Sequence, residues 1–211
     1  ANGSSEMVNN IAVSITTFIF NKLMLKYAGE AGVAAITVVL YAQFLMTSAF
    51  MGFSGGVAPV ISYNYGRRND AQLRKIFRIS MGAVTAASML VFAFSELFSS
   101  VVIGVFASPG SEVFRLAKHG FAVFGVNFLF AGLNIYASGM FTAFSDGLVS
   151  AVISFLRTLV FLVVSLLILP MLLDIDGVWL AVPAAEALAF IVSVYYLVSR
   201  RKKYHYAGKT D

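Results

Sequence analysis

Residues 31–66 read AGVAAITVVLYAQFLMTSAFMGFSGGVAPVISYNYG, and none of these 36 residues is charged. As one straight helix the run would measure about 54 Å, well beyond the ~30 Å hydrocarbon core of a bilayer. The rest of the chain has the same character. It has 211 residues, 59% hydrophobic and 12% charged, with a mean hydropathy of +0.85. A soluble domain carries roughly 25% charged residues, so this composition cannot cover a surface in water. Disordered and collagen-like chains are excluded by the same figures. The runs are too long for an outer-membrane barrel and lack its ten-residue alternation. The fold class is therefore an all-α polytopic membrane protein, a bundle of six transmembrane helices. With no cysteine, disulfides, thiolate metal sites and cysteine nucleophiles are all excluded.

Charge-free stretches place the spans at about 7–25, 33–62, 73–98, 113–140, 149–172 and 177–199, followed by a basic tail at 200–211. Gly, Pro, Asn, Asp and Ser punctuate the gaps, as loops require. Within 31–66 the excess length coincides with Gly52, Gly55, Gly56 and Pro59. A bend is expected at Gly55, Gly56 and Pro59, since proline removes a donor and glycine relaxes the backbone. Such a bend is either a moving hinge or a site of close helix packing. The loops set the orientation. Eleven of the 15 basic residues, among them Arg67, Arg68, Arg74, Lys75 and Arg200 to Lys203, fall on the side of both termini; only Lys22, Lys26, Arg115 and Lys118 fall on the other. Both termini are expected in the cytoplasm. The tail reads as a stop-transfer anchor rather than a nucleic-acid site, and no nucleic-acid partner is expected.

Polar residues inside the spans need a reason, because each is costly in hydrocarbon. Glu6, Asn10, Ser14, Thr17 and Asn21 step by 4, 4, 3 and 4, one stripe about 80° wide. It would wall a hydrophilic cavity with Glu6 as an ion-responsive end. Alternatively, Glu6 sits wet at the helix start, favoured by the helix dipole. Asn127, Asn134 and Ser138 form a second narrow face, lining the same cavity or bonding helix to helix. Glu186 lies near mid-membrane, one turn after Pro183, as a coupling acid or a structural one. Tyr41 and Tyr136 would supply apolar and cation–π contact to a substrate. Arg157 reads as an interfacial anchor that snorkels.

The segment Pro59-Val60-Ile61-Ser62-Tyr63-Asn64-Tyr65-Gly66-Arg67-Arg68-Asn69 resembles the multidrug and toxic compound extrusion (MATE) family, in which a helix ends on a proline followed by an Asn-Tyr-Gly-basic turn. Three further stretches agree in order and spacing: Tyr27-Ala28-Gly29-Glu30-Ala31-Gly32, Ala137-Ser138-Gly139-Met140-Phe141, and Gly177-Val178-Trp179-Leu180-Ala181-Val182-Pro183. The match is to the second half of the family's twelve helices. The resemblance implies one lobe of a bacterial inner-membrane antiporter that exports small amphipathic or cationic compounds in exchange for protons or sodium. The substrate cavity of such parallel repeats lies between lobes. The expected partners are an N-terminal six-helix lobe absent from this chain, membrane lipid and a small-molecule substrate. The chain starts at Ala1 without methionine, which fits a processed or longer polypeptide. No cofactor is expected beyond the coupling ion. Sodium-linked members use acids on the first and fourth helices of this half, whereas here no acid lies between Lys118 and Asp146. Proton coupling through an acid of the absent half is the other route.

Two rivals remain. A lipid-linked glycan flippase of the same superfamily would carry more cationic residues inside the spans. An intramembrane serine protease would use Ser54, in Gly52-Phe53-Ser54-Gly55-Gly56, with His119. Ser54 sits about 33 Å below the outer end of its span and His119 about 10 Å below its own. That mismatch rules against hydrogen-bond contact, so no enzymatic activity is expected. Because the chain has no cysteine, single cysteines report cleanly on topology. Cysteines at Lys209 and Gly110 should label from opposite faces of the membrane with an impermeant maleimide; labelling from one face would overturn the orientation.

Overall fold

The computed structural model describes the backbone of residues 2–207 and the side chains of residues 12–207. Helix is the only regular structure among them. The helices are α1 (Asn2–Gly66), α2 (Asp70–Leu97), α3 (Ser99–Gly104), α4 (Glu112–Gly125), α5 (Phe128–Ala143), α6 (Gly147–Phe155), a π-helical turn (Leu156–Val160) and α7 (Phe161–Ser199). Ala12–Gly66, Asp70–Leu97 and Gly147–Ser199 are long and apolar enough to cross a membrane, and α4 with α5 forms a fourth run bent by 56°. Two of these runs contain a reversal. Gly29 has φ 61° and ψ −153°, and Asp174 has φ 49° and ψ −128°. Each divides its helix into two arms, so the described residues form a bundle of six helical arms.

Both reversals use the same device. Three residues after the turn comes a glycine: Gly32 after Gly29 and Gly177 after Asp174. A Cβ on Gly32 would lie 2.7 Å from the Ala28 Cβ and 2.8 Å from the Met24 carbonyl oxygen, and one on Gly177 would strike the Leu169 carbonyl. The arms of each hairpin therefore touch backbone to backbone, as small residues allow in membrane bundles. The Tyr27 hydroxyl donates to the Pro170 carbonyl oxygen at 2.9 Å, tying the two hairpins together at one end of the bundle. Nearby, a Cβ on Gly120 would lie 2.5 Å from the Trp179 ring, so α4 lies flat on a fully buried indole.

Asn69, Ser111 and Asp146 cap α2, α4 and α6, the residue types that satisfy the first free amides of a helix. The expected bend at Gly55, Gly56 and Pro59 is not a break. Gly29 is the one residue of α1 with non-helical dihedrals, and nothing lies within 4 Å of a Cβ placed on Gly52, Gly55 or Gly56. Pro59 has no amide to donate to the Gly55 carbonyl, yet α1 keeps helical dihedrals around it.

The core is two apolar clusters stacked along the bundle. One, at the hairpin end, holds Phe20, Met24, Ile36, Phe121, Phe128 and Trp179. The other holds Ile61, Tyr136, Phe141, Phe144, Ile153 and Leu197. The tail closes this second end and is more than an anchor. Tyr204 and Tyr206 are buried. Phe144 stacks on both, with centroids 4.7 and 5.6 Å away. The Tyr206 hydroxyl donates to the Leu197 carbonyl oxygen at 2.7 Å. The Tyr204 hydroxyl donates to Asp146 Oδ2 at 2.5 Å, and Lys203 Nζ lies 3.5 Å from the same oxygen. Burial works against the Asp146 charge, but the bonds from Tyr204 and the Val149 amide, with the Lys203 charge, hold its carboxyl below the usual range.

Gly177→Ala should destabilise the full chain in detergent by about 1–3 kcal/mol, the usual cost of overpacking. Gly55→Ala, facing open space, should stay within about 0.5 kcal/mol. Thermal unfolding of the two variants checks the contrast. A carboxyl whose folded pKa is depressed contributes stability that is present above its unfolded value and lost as pH falls through the folded value. A nitroxide on Lys202→Cys should therefore become mobile as the medium is acidified below about pH 4, the ordinary carboxylate range. Tyr204→Phe should mobilise it already at neutral pH.

Candidate functional site

Between the two apolar clusters lies a layer of polar side chains. Phe128 of α5 belongs to the hairpin-end cluster and Tyr136 to the tail-end one, with Asn134 between them. On α7, Val182 and Leu197 take the same two places, and Glu186 and Ser193 fall between. Asn134 is fully buried and Glu186 is 6% exposed. The Asn134 amide nitrogen donates to the Glu186 carboxylate at 2.7 Å and to its backbone carbonyl at 2.9 Å. The Asn134 side-chain oxygen accepts from the Ser193 hydroxyl at 2.8 Å. One asparagine thus uses both polar ends to pin α5 to the second arm of α7.

The other Glu186 oxygen faces a cation. Arg157 Nε lies 3.3 Å from Glu186 Oε1, with the arginine side chain 17% exposed. The snorkelling expected for Arg157 does not occur; the side chain turns inward instead. The cause is local: Arg157 sits in the π-helical turn Leu156–Val160. Such a turn holds one extra residue and rotates those beyond it, and it recurs at functional sites. The contact is a charge contact without hydrogen-bond geometry, since Arg157 Nε is buried with no hydrogen-bond partner among the described residues.

The other polar positions go elsewhere. The Asn127 amide donates to the Phe124 carbonyl oxygen at 2.5 Å, within the bend between α4 and α5, and the side chain is fully buried. The Ser138 hydroxyl lies 2.9 Å from that of Ser150 and 2.8 Å from that of Ser154, in a contact between α5 and α6. Asn127, Asn134 and Ser138 thus occupy three separate helix contacts. Of the first stripe, Glu6 and Asn10 lie outside the described side chains. Ser14 and Thr17 are exposed, while the inward face of that arm carries Ala12, Thr16, Phe20 and Met24. The two polar faces do not meet inside this chain: one looks out of the bundle and the other is consumed within it. Tyr41 is 60% exposed and stacks on Phe106 at 6.4 Å, whereas Tyr136 is buried behind Phe53. Gly55, Gly56 and Pro59 share the outward face of α1. Asn21, Lys22 and Glu30, with Phe18 and Thr37, line a groove of about 770 Å³ beside the first hairpin.

Ser54 and His119 are apart. The Ser54 hydroxyl points at the Ile135 carbonyl oxygen at 3.5 Å, and His119 Nε2 lies 2.7 Å from Asp176 at the hairpin end. No group of three or more His, Cys, Asp or Glu side chains that could hold a metal occurs among the described residues.

The arrangement resembles one half of solved transporters. A MOP superfamily transporter from Pyrococcus furiosus superposes with a TM-score of 0.86 at 23% identity, over 99% of this chain and 46% of that one. An inward-facing multidrug resistance MATE family transporter gives a TM-score of 0.87 at 21% identity, over 98% and 48%. The MATE multidrug transporter DinF-BH gives 0.81 at 25% identity, over 98% and 46%. The chain thus spans slightly under half the length of the structures it matches. A search of curated proteins found no match. The MatE family model matches residues 7–167, about three quarters of the chain. This chain belongs to the MATE family of multi-pass membrane transporters.

Proposed function

We propose that the chain works as the C-terminal lobe of a two-lobe antiporter that exports small amphipathic or cationic compounds in exchange for protons or sodium. The observation that carries the reading is the buried Arg157–Glu186 pair held by Asn134. An ionisable group in mid-membrane points to an ion pathway unless something else accounts for it. The outward face of α1 supports the substrate class. Thr17, Phe18, Tyr41 and Phe44 are exposed there, and α1 has no Arg or Lys after Lys26. Aromatic rings beside hydroxyls suit amphipathic cations; a carrier of anionic lipid-linked glycans would need cationic side chains instead. The one arginine drawn inside is already neutralised by Glu186. The missing partner is an N-terminal lobe, against which this one would rock about a cavity between them. Both termini of this segment would face the cytoplasm.

The test is transport by the two-lobe protein in proteoliposomes, with ethidium as the probe cation and proton and sodium gradients imposed separately. One gradient should drive ethidium exchange, and Glu186→Gln should reduce the driven component at least about tenfold, the effect of ~1.4 kcal/mol, without loss of folded protein. Ethidium movement indifferent to both gradients, or driven equally well in Glu186→Gln, would overturn the reading.

A further inference from the structure

The geometry points to Arg157 as a built-in competitor for the coupling ion: guanidinium and proton take turns as the counter-charge of Glu186, and the π-helical turn is the joint that lets Arg157 leave. This rests on Glu186 being the coupling acid. It adds which ion couples and which element moves.

Three observations carry it. First, the carboxylate is occupied on both sides, with Arg157 Nε 3.3 Å from Oε1 and the Asn134 amide 2.7 Å from Oε2. A metal cation needs several oxygen ligands, and here a positive guanidinium stands where it would enter. The Asn134 oxygen that could have served already accepts from Ser193. A proton needs no cavity and no ligand set. It forms one O–H bond on Glu186, no other bond breaks, and the pair passes from neutral to a net charge of +1. Second, the arginine is held loosely. Its Nε is buried with no hydrogen-bond partner among the described residues, whereas the asparagine on the other side is held at both ends. When the carboxyl becomes neutral, the Arg157 contact loses its attraction, while the Asn134 donors keep a carbonyl oxygen each. Third, Arg157 stands on the one π turn described. Such a turn carries a spare residue that a helix can shed or shift without breaking.

Among the described side chains no other charge competes for the role. Helices α5 and α6 contain no charged residue, and α1 has none after Glu30. Tyr136 of α5 is two residues from Asn134 and so projects from another face. On α4, His119 is engaged with Asp176, ten residues before Glu186. Among the described side chains Glu186 therefore faces one cation, Arg157, and one amide, Asn134.

The test uses the full two-lobe transporter and two independent readouts. In the first, Thr158→Cys, introduced with any cysteine of the other lobe replaced, reports on the π turn by alkylation with a small maleimide at one fixed pH. Glu186→Gln, which mimics the protonated acid, should speed alkylation about fivefold or more, the population change expected when a weak pairing is lost. In an Arg157→Gln background Glu186→Gln should add nothing. Equal rates with and without Glu186→Gln would overturn the proposal whether or not transport is observed. In the second, the pH profile of ethidium exchange should move toward alkaline pH by about one unit in Arg157→Gln, and Arg157→Lys should restore it. An unchanged profile in Arg157→Gln, or exchange that a sodium gradient drives in place of protons, would overturn it as well. Failure of wild-type exchange under both gradients would count against the antiporter reading alone, leaving the alkylation result to decide this one.

Discussion

One side chain holds the middle of this bundle together. Asn134 commits its amide to the carboxylate and carbonyl of Glu186 and its oxygen to Ser193, so α5 and the second arm of α7 are locked at two successive turns of that arm. In hydrocarbon no water can take over any of these bonds, which makes them obligatory. The consequences spread outward. Because α5 is fixed there, its small residues meet their neighbours at close range: Gly132 lies against Phe50 and Gly139 against Ser54. With Glu186 fixed there, the π turn at Leu156–Val160 carries Arg157 to within 3.3 Å of its other oxygen. The acid, amide and arginine act as one unit.

The two ends of the lobe are closed by different means. At the hairpin end closure is steric: backbones touch at Gly32 and Gly177, Trp179 lies on Gly120, and Tyr27 bonds Pro170. These contacts carry no net charge and no room for slippage. At the tail end closure is by aromatic stacking and one acid. Phe144, Tyr204 and Tyr206 form a stack that Asp146 ties down, while His205 Nδ1 reaches to within 3.7 Å of Asp70. The tail thereby bridges the loop after α1 and the loop after α5. A rigid cap at one end and a titratable strap at the other make the strap the weaker of the two closures.

The sequence conveyed the gross fold because bilayer physics writes it in plain terms. Charge-free runs must be helices and Gly-Asp-Ser gaps must be turns, and a chain with 12% charged residues cannot be a soluble domain. Azimuth along one helix was also legible, as with the stripe through Ser14 and Thr17. What could not be read was which neighbour a face meets. Asn127, Asn134 and Ser138 share a face by spacing, yet the bend before Asn127 and the serines of α6 take two of them elsewhere. The reversal at Gly29 falls in the gap read between the first two spans, and the residues around the bend expected at Gly55, Gly56 and Pro59 keep helical dihedrals. Arg157 stands eight residues after Val149, where snorkelling is the default; a π turn leaves no mark in composition. The tail hid Tyr204 and Tyr206 within a basic run. In each case the missing information was a tertiary partner, not a local propensity.

Stability gives no account of the Arg157–Glu186 pair. Bringing two charges out of water costs several kcal/mol per ion, and their attraction offsets it only when the geometry is excellent and the remaining donors are satisfied. Here the geometry is not excellent: Nε faces Oε1 at 3.3 Å without a hydrogen bond. The glycines of the hairpins and the Asn134 clamp already hold the helices in register, so the pair is not needed for that either. What the pair offers that an apolar layer cannot is two states of different charge inside an otherwise fixed scaffold. A transporter needs such an element, because a driving ion can shift a conformational equilibrium only through differential interaction with its two states. The loosest contact in the polar layer is therefore where that difference is easiest to make.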